Sequence, residues 1–229
     1  MTLKIYKIYM KHTLLNTIEG RLLLSGILLS LLLIALIGFF GITESQTAKT
    51  LALVFIAHTF GGRAAGIGLC ILNGYGALPT IIYNFYIEVL IVCFTYAGFV
   101  LSTTNYLKIE WLNKLMDRLA EKALEKKEKI KPFGWIGIFF FVMAPLPVTG
   151  PVVGSIIGYM LRLSPFRNFS ATFLGTLSAI IVWFYCFDFL EQRFHMIQYL
   201  FAAIVIIVLI PYFKKIKNFI AGRKDPGKN

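Results

Sequence analysis

Long apolar runs alternate with short polar breaks along this chain, and the run lengths predict its elements. Leu22 to Ile42 is 21 residues without a charge, enough to cross a hydrocarbon core of about 30 Å as one helix. Leu78 to Leu101 and Asn168 to Leu190 are also long enough, and Met196 to Phe213 reads as a last span. Two further apolar stretches are interrupted. Ala48 to Ala77 breaks at Gly61-Gly62-Arg63 and again at Gly74-Tyr75-Gly76. Phe133 to Leu163 breaks at Pro145-Leu146-Pro147-Val148-Thr149-Gly150-Pro151, where each proline removes an amide donor and blocks the turn before it. Each arm is about a dozen residues, or about 18 Å as a helix, so no arm spans alone. Both stretches are predicted to be re-entrant hairpins with tips at membrane depth.

Ser102 to Pro132 is the one long polar stretch. Ile109, Leu112, Leu115, Met116, Leu119 and Ala123 recur there at helical spacing, and Glu110–Lys114 and Glu125–Lys129 are i,i+4 pairs. This predicts an amphipathic helix lying on the membrane or against the protein.

Charge decides the topology. Of 23 Lys and Arg, 20 fall in residues 1–21, 102–132, 162–167 and 214–229. If both broken stretches re-enter, these four segments share one face; if either crosses, the basic residues divide between two faces. The positive-inside bias therefore predicts two re-entrant hairpins with both termini cytoplasmic. A signal peptide is the competing reading of the first run, but the run exceeds the usual h-region of about 7–15 residues and GFFGITES lacks a small-residue cleavage site, which favours a retained anchor.

The expected fold is thus an all-α integral membrane protein with an inverted repeat of hairpin plus span and about four full spans. Its parts are 1–47 (N-terminus and first span), 48–101 (first repeat), 102–132 (cytoplasmic amphipathic helix), 133–190 (second repeat) and 191–229 (last span and basic tail). Transporters with this symmetry place their substrate near the midplane between broken helices.

Composition agrees: 58% hydrophobic, 15% charged and mean hydropathy +0.75 describe a multi-pass protein of the cell (inner) membrane. The net charge of +12 is explained by topology and anionic headgroups, so membrane lipids rather than nucleic acid are the expected partners. Homo-oligomerisation is left open. Cys70, Cys93 and Cys186 lie in apolar runs without ligand spacing, so no metal or cofactor is expected. HExxH, GxSxG, Walker A and Cys/His clusters are absent from the sequence, which argues against an enzyme.

The candidate site gathers at the two tips. A helix beginning at a tip offers amides without helical partners and the positive end of its dipole, a latent anion site. Gly62, Thr149, Gly150 and Gly154 supply such backbone, with Thr149 also able to cap and Gly150, Gly154 and Gly158 forming one small packing face. Arg63 at membrane depth demands a partner, and Glu88, mid-span, is the natural one. The pair is either a structural staple or a working site in which an anion competes for Arg63 while Glu88 takes up a proton. His58 is a second candidate proton carrier, or else a packing histidine. Arg162 and Arg167 close the second hairpin as headgroup contacts or as a second phosphate grip.

APLPVTGPVVGSIIGYMLRLSPFRNFSATFLGTLSAIIV, from Ala144, resembles the second signature of the small multidrug export proteins, and GGRAAGIGLCILNGYGALP, from Gly61, resembles the first. The resemblance covers about residues 50–190, and the family looks distantly related to the DedA/VTT superfamily. The DedA side implies paired inverted hairpins and translocation of lipid-linked phosphates such as a polyprenyl phosphate. One departure matters: the family's acidic residue two before the arginine falls on Gly61, so no proton role carries over from there. Three functions follow: a flippase for an amphiphile with an anionic head, a drug or cation exporter using Glu88 with Tyr83, Phe85 and Tyr86, and a non-transporting membrane scaffold.

Overall fold

A computed structural model describes residues 17–103, 110–144 and 150–193; the elements among them are all helices, joined by short turns, with no strand. The chain divides into two compact units, 1–184 and 185–229; the first holds the candidate site. The expected span Met196–Phe213, the tip residues 145–149 with Thr149, and the basic tail lie outside the described residues.

Helix α1 (Ile18–Thr43) starts at Thr17, whose hydroxyl accepts the Gly20 amide at 3.1 Å, an N-cap that satisfies one orphan donor. Its outer face is bare, with Leu28, Ile34 and Ile42 exposed, as a lipid-facing helix requires. Glu44 breaks the chain, and α2 (Ser45–Gly61) and α3 (Arg63–Leu72) follow, separated by Gly62 alone. Gly62 has φ 81°, a conformation that favours glycine over any residue with a Cβ. Helix α4 (Ala77–Thr103) is the central element, packing on α1, α2, α3 and the helices of the second half.

Helix α5 (Glu110–Ile130) is the predicted amphipathic helix. It lies against the protein: Met116, Leu119, Ala123 and Ile130 are buried in one apolar cluster with Phe99 and Val100 of α4 and Ile156 and Ile157 further on. Leu115 was expected on that face, yet it is exposed, one position off the buried row. Glu125 meets Lys126 at 4.0 Å rather than the expected Lys129, and Glu128 meets Lys131 at 3.9 Å. A 3-10 turn (Lys131–Phe133) leads into α6 (Gly134–Met143); then come α7 (Gly150–Met160) and α8 (Pro165–Arg193).

Among the described residues, three helices are long and apolar enough to cross a membrane: α1, α4 and the Pro165–Phe187 part of α8. Helices α3, α6 and α7, with 10, 10 and 11 residues, reach only about 15–17 Å. The breaks fall where glycine and proline predicted them.

Candidate functional site at the meeting of the short helices

Every charged group of the site is set by a helix end or a helix midpoint. Arg63 is the first residue of α3, His58 sits in the last turn of α2, and Glu88 is the twelfth residue of α4, about 17 Å from its start. All three are buried, Arg63 and Glu88 at 6% exposure and His58 at 2%. Arg63 Nε lies 3.5 Å from Glu88 Oε1, and His58 Nε2 lies 3.4 Å from the same oxygen. The expected Arg63–Glu88 pair is therefore present, with His58 as its third member.

The second half of the chain completes the site. Arg63 Nη1 donates to the Val142 carbonyl at 3.1 Å. Val142 belongs to the last turn of α6, whose carbonyls have no helical partner and carry the negative end of the dipole. A Cβ placed on Gly150, the first residue of α7, would stand 3.1 Å from Arg63 Nη2 and 3.4 Å from the Val142 carbonyl oxygen. A side chain there would press on the guanidinium, which would have to shift by a few tenths of an ångström. The two broken stretches thus meet at Arg63, which spans from the carboxylate on α4 to the end of α6.

Helices α3 and α7 leave this point in opposite directions along α4. Helix α3 runs toward the Ala77 end, where Cys70 Sγ receives Asn84 Nδ2 at 3.6 Å. Helix α7 runs toward the Thr103 end, where the Tyr159 ring packs 6.1 Å from Tyr96 and 5.9 Å from Phe99. Two helix N-termini therefore face one buried cluster from opposite sides, and their dipoles both favour negative charge there.

Proton placement follows from the hydrogen bonds. Asn84 Nδ2 donates to the Thr80 carbonyl at 2.8 Å, which turns Asn84 Oδ1 toward His58 Nδ1 at 2.7 Å. A carbonyl oxygen only accepts, so Nδ1 carries the hydrogen. Nε2 then faces the Glu88 carboxylate either as a bare acceptor, which repels, or with a proton shared between the two groups. The His58–Glu88 contact is attractive only when it holds that proton. The network is closely fitted: a Cβ on Gly66 would overlap Asn84 Oδ1 and come within 2.7 Å of His58 Nδ1.

The remaining candidates are placed differently. Gly62 is the hinge between α2 and α3. Gly154 packs against Val142 and Ile138, away from the guanidinium, and Gly158 takes the Asn168 side chain against its backbone. Arg162 and Arg167 are exposed at the α7–α8 turn, about 18 Å along α7 from Gly150, so the structure does not bring them to the cluster. Arg162 adopts φ 56° in closing that turn, and its amide donates to the Tyr159 carbonyl at 2.9 Å. Among the described residues no His/Cys/Asp/Glu group could hold a metal ion.

Sequence reasoning missed a polar row on each long helix. Thr80, Asn84 and Glu88 are the fourth, eighth and twelfth residues of α4, and Asn168, Thr172 and Thr176 are the fourth, eighth and twelfth of α8. All six are buried. The i, i+4, i+8 spacing was visible in the sequence, but uncharged polar residues barely lower the hydropathy of a span.

A family model described as "Putative small multi-drug export protein" matches residues 63–182, from the Arg63 that anchors the site to the middle of α8. No curated protein and no solved structure gives a match. The matched region is just over half of the chain and holds Arg63, Glu88, Val142, Gly150 and both polar rows; this protein belongs to the small multi-drug export protein family.

Proposed function

We propose that this protein is a membrane transporter whose working site is the Arg63–Glu88–His58 cluster, and that it moves an amphiphile with an anionic head, such as a polyprenyl phosphate lipid, in a DedA-like manner. The observation that carries the reading is the position of Arg63, held between a carboxylate and a helix-end carbonyl where two helix N-termini converge. Protonation of Glu88 would free the guanidinium, which could then take a phosphate oxygen in place of the carboxylate. Deprotonation would restore the pair and release the anion. The scheme places α2–α3 and α6–α7 as opposed re-entrant hairpins of an inverted repeat, with α5 and both termini on the cytoplasmic side of the inner membrane, and the site open alternately to either face.

The second reading is drug export, which the family description names, with a cationic drug as the substrate. It needs an aromatic, acidic cavity beside Glu88. The Tyr83 hydroxyl donates to the Leu51 carbonyl at 2.8 Å, the Tyr86 hydroxyl donates to the Leu29 carbonyl, and the Phe85 ring packs 6.1 Å from Phe173. Those aromatics are engaged in packing, and the positive potential of two N-termini and Arg63 disfavours a cation. The anionic reading is therefore preferred.

Arg63→Ala in proteoliposomes separates these, scored at once for thermal unfolding, transbilayer movement of a fluorescent polyprenyl phosphate and efflux of ethidium. A folded variant that has lost lipid movement supports the proposal. Retained lipid movement with lost ethidium efflux supports drug export, and unfolding with no native-protein transport of either probe identifies a scaffold. Topology has its own test: labelling of single cysteines within 114–130 from outside the cell would overturn the double re-entrant arrangement.

A further inference from the structure

Hydroxyls on helices in an apolar setting have a standard way of satisfying themselves, by donating to the carbonyl four residues earlier. Ser30, Thr50, Thr59, Thr95 and Thr103 all do so, to Gly26, Gln46, Phe55, Ile91 and Phe99 at 2.7–3.1 Å. Thr172 and Thr176 do not. Both are fully buried at 0% exposure, and neither Oγ1 has a hydrogen-bond partner among the described residues. A buried hydroxyl left without a partner is destabilising, and these two lie one turn apart on one face of one helix.

That face has defined ends. At its start Asn168 Nδ2 donates to the Ser155 carbonyl of α7 at 2.8 Å, close to the exposed turn that carries Arg162 and Arg167. Near its far end, Gly175 stands against α6: a Cβ there would lie 3.1 Å from Val142 Cβ, and the Val142 carbonyl receives Arg63. Thr176 is thus at the depth of the charged cluster, and Asn168, Thr172 and Thr176 step from the turn to that depth over about 12 Å. Ser155 on the facing helix is buried too, but its hydroxyl already donates to the Val152 carbonyl at 2.8 Å and keeps only acceptor capacity.

We infer that this face of α8 holds a file of ordered water linking the α7–α8 turn to the Glu88–His58 pair. Buried water typically makes about three hydrogen bonds to groups that otherwise have none, and a threonine hydroxyl both donates and accepts. Such a file gives the shared His58–Glu88 proton a route to bulk water. A proton entering at one end is matched by one leaving at the other, and each hydroxyl is returned unchanged. The inference uses the proposed coupling role of Glu88 only to say what the water is for; the water itself is tested without transport.

Silver ion moves through water and captures thiols, so it reports the file directly. The full chain carrying Cys186→Ser, in nanodiscs, is compared as Thr172→Cys, Thr176→Cys and Ile180→Cys, the last being equally buried but one turn further along α8. Loss of the introduced thiol is then read after denaturation as maleimide label on its own peptide, since Cys70 and Cys93 remain free thiols. The expected result is capture about tenfold faster at positions 172 and 176 than at 180, slowed at 176 by Thr172→Val and preserved by Thr172→Ser. Equal rates at all three positions, or no capture at 172 and 176, overturns the inference. Should a cysteine variant fail to fold, radiolytic hydroxyl labelling of the unaltered protein decides: labelling of the Phe169–Thr176 segment above that of Ala179–Trp183 supports the file, and its absence rejects it. If silver reaches position 176 while proton coupling at Glu88 fails its own test, the water file stands and the transport reading falls.

Discussion

Helices α4 and α8 carry polar rows at identical positions, yet the first row is closed by hydrogen bonds and the second is open. On α4, Asn84 binds the Thr80 carbonyl, His58 and Cys70, the Thr80 hydroxyl reaches the Tyr75 carbonyl at 3.4 Å, and Glu88 holds Arg63. On α8, Asn168 is anchored to Ser155, but the hydroxyls of Thr172 and Thr176 have no partner among the described residues. Where the first row ends in a carboxylate, the second ends in a threonine. One helix therefore fixes a charge at mid-depth and surrounds it with fixed dipoles, while the other keeps spare hydrogen-bonding capacity at the same depth. Polar groups that are fully satisfied rigidify a site, and unsatisfied ones call for water or a ligand.

Substitutions break this comparison in order of size. Glu88→Ala strands a buried guanidinium, and truncating one partner of such a pair typically costs about 3–5 kcal/mol; thermal unfolding in detergent should show the largest loss of the series. Asn84→Leu removes the groups that orient His58 and satisfy the Thr80 carbonyl, for a loss of about 1–3 kcal/mol by the same assay. Gly66→Ala drives a methyl into Asn84 and His58 and should cost about 1–3 kcal/mol through overpacking. Thr172→Val, nearly isosteric and with no protein partner to lose, should leave the unfolding midpoint within about 1 kcal/mol of the native value. A Thr172→Val loss as large as that of Asn84→Leu would show that the α8 row is closed as well.

Much of this was legible in the chain. Gly62 and the prolines between Pro145 and Pro151 marked the breaks, because glycine reaches backbone conformations closed to other residues and proline lacks the amide that a helix needs. The cost of an arginine at membrane depth pointed to Glu88, since no other carboxylate lies mid-span. Val142 was beyond reach: it contributes a backbone carbonyl, and any residue at the end of α6 would present one. Thr172 and Thr176 were present in the sequence at an informative spacing, but their significance depends on what the hydroxyls fail to meet. Leu115 is exposed while Met116, Leu119, Ala123 and Ile130 form the buried row of α5.

The central claim is that Glu88 links proton binding to the release of Arg63. Glu88→Gln tests it most directly, because the amide keeps the shape and the capacity to accept from Arg63 but cannot exchange a proton. In proteoliposomes with an imposed pH gradient, the account predicts a folded Glu88→Gln variant whose polyprenyl phosphate movement no longer responds to the gradient. A variant that responds as the native protein does would contradict it.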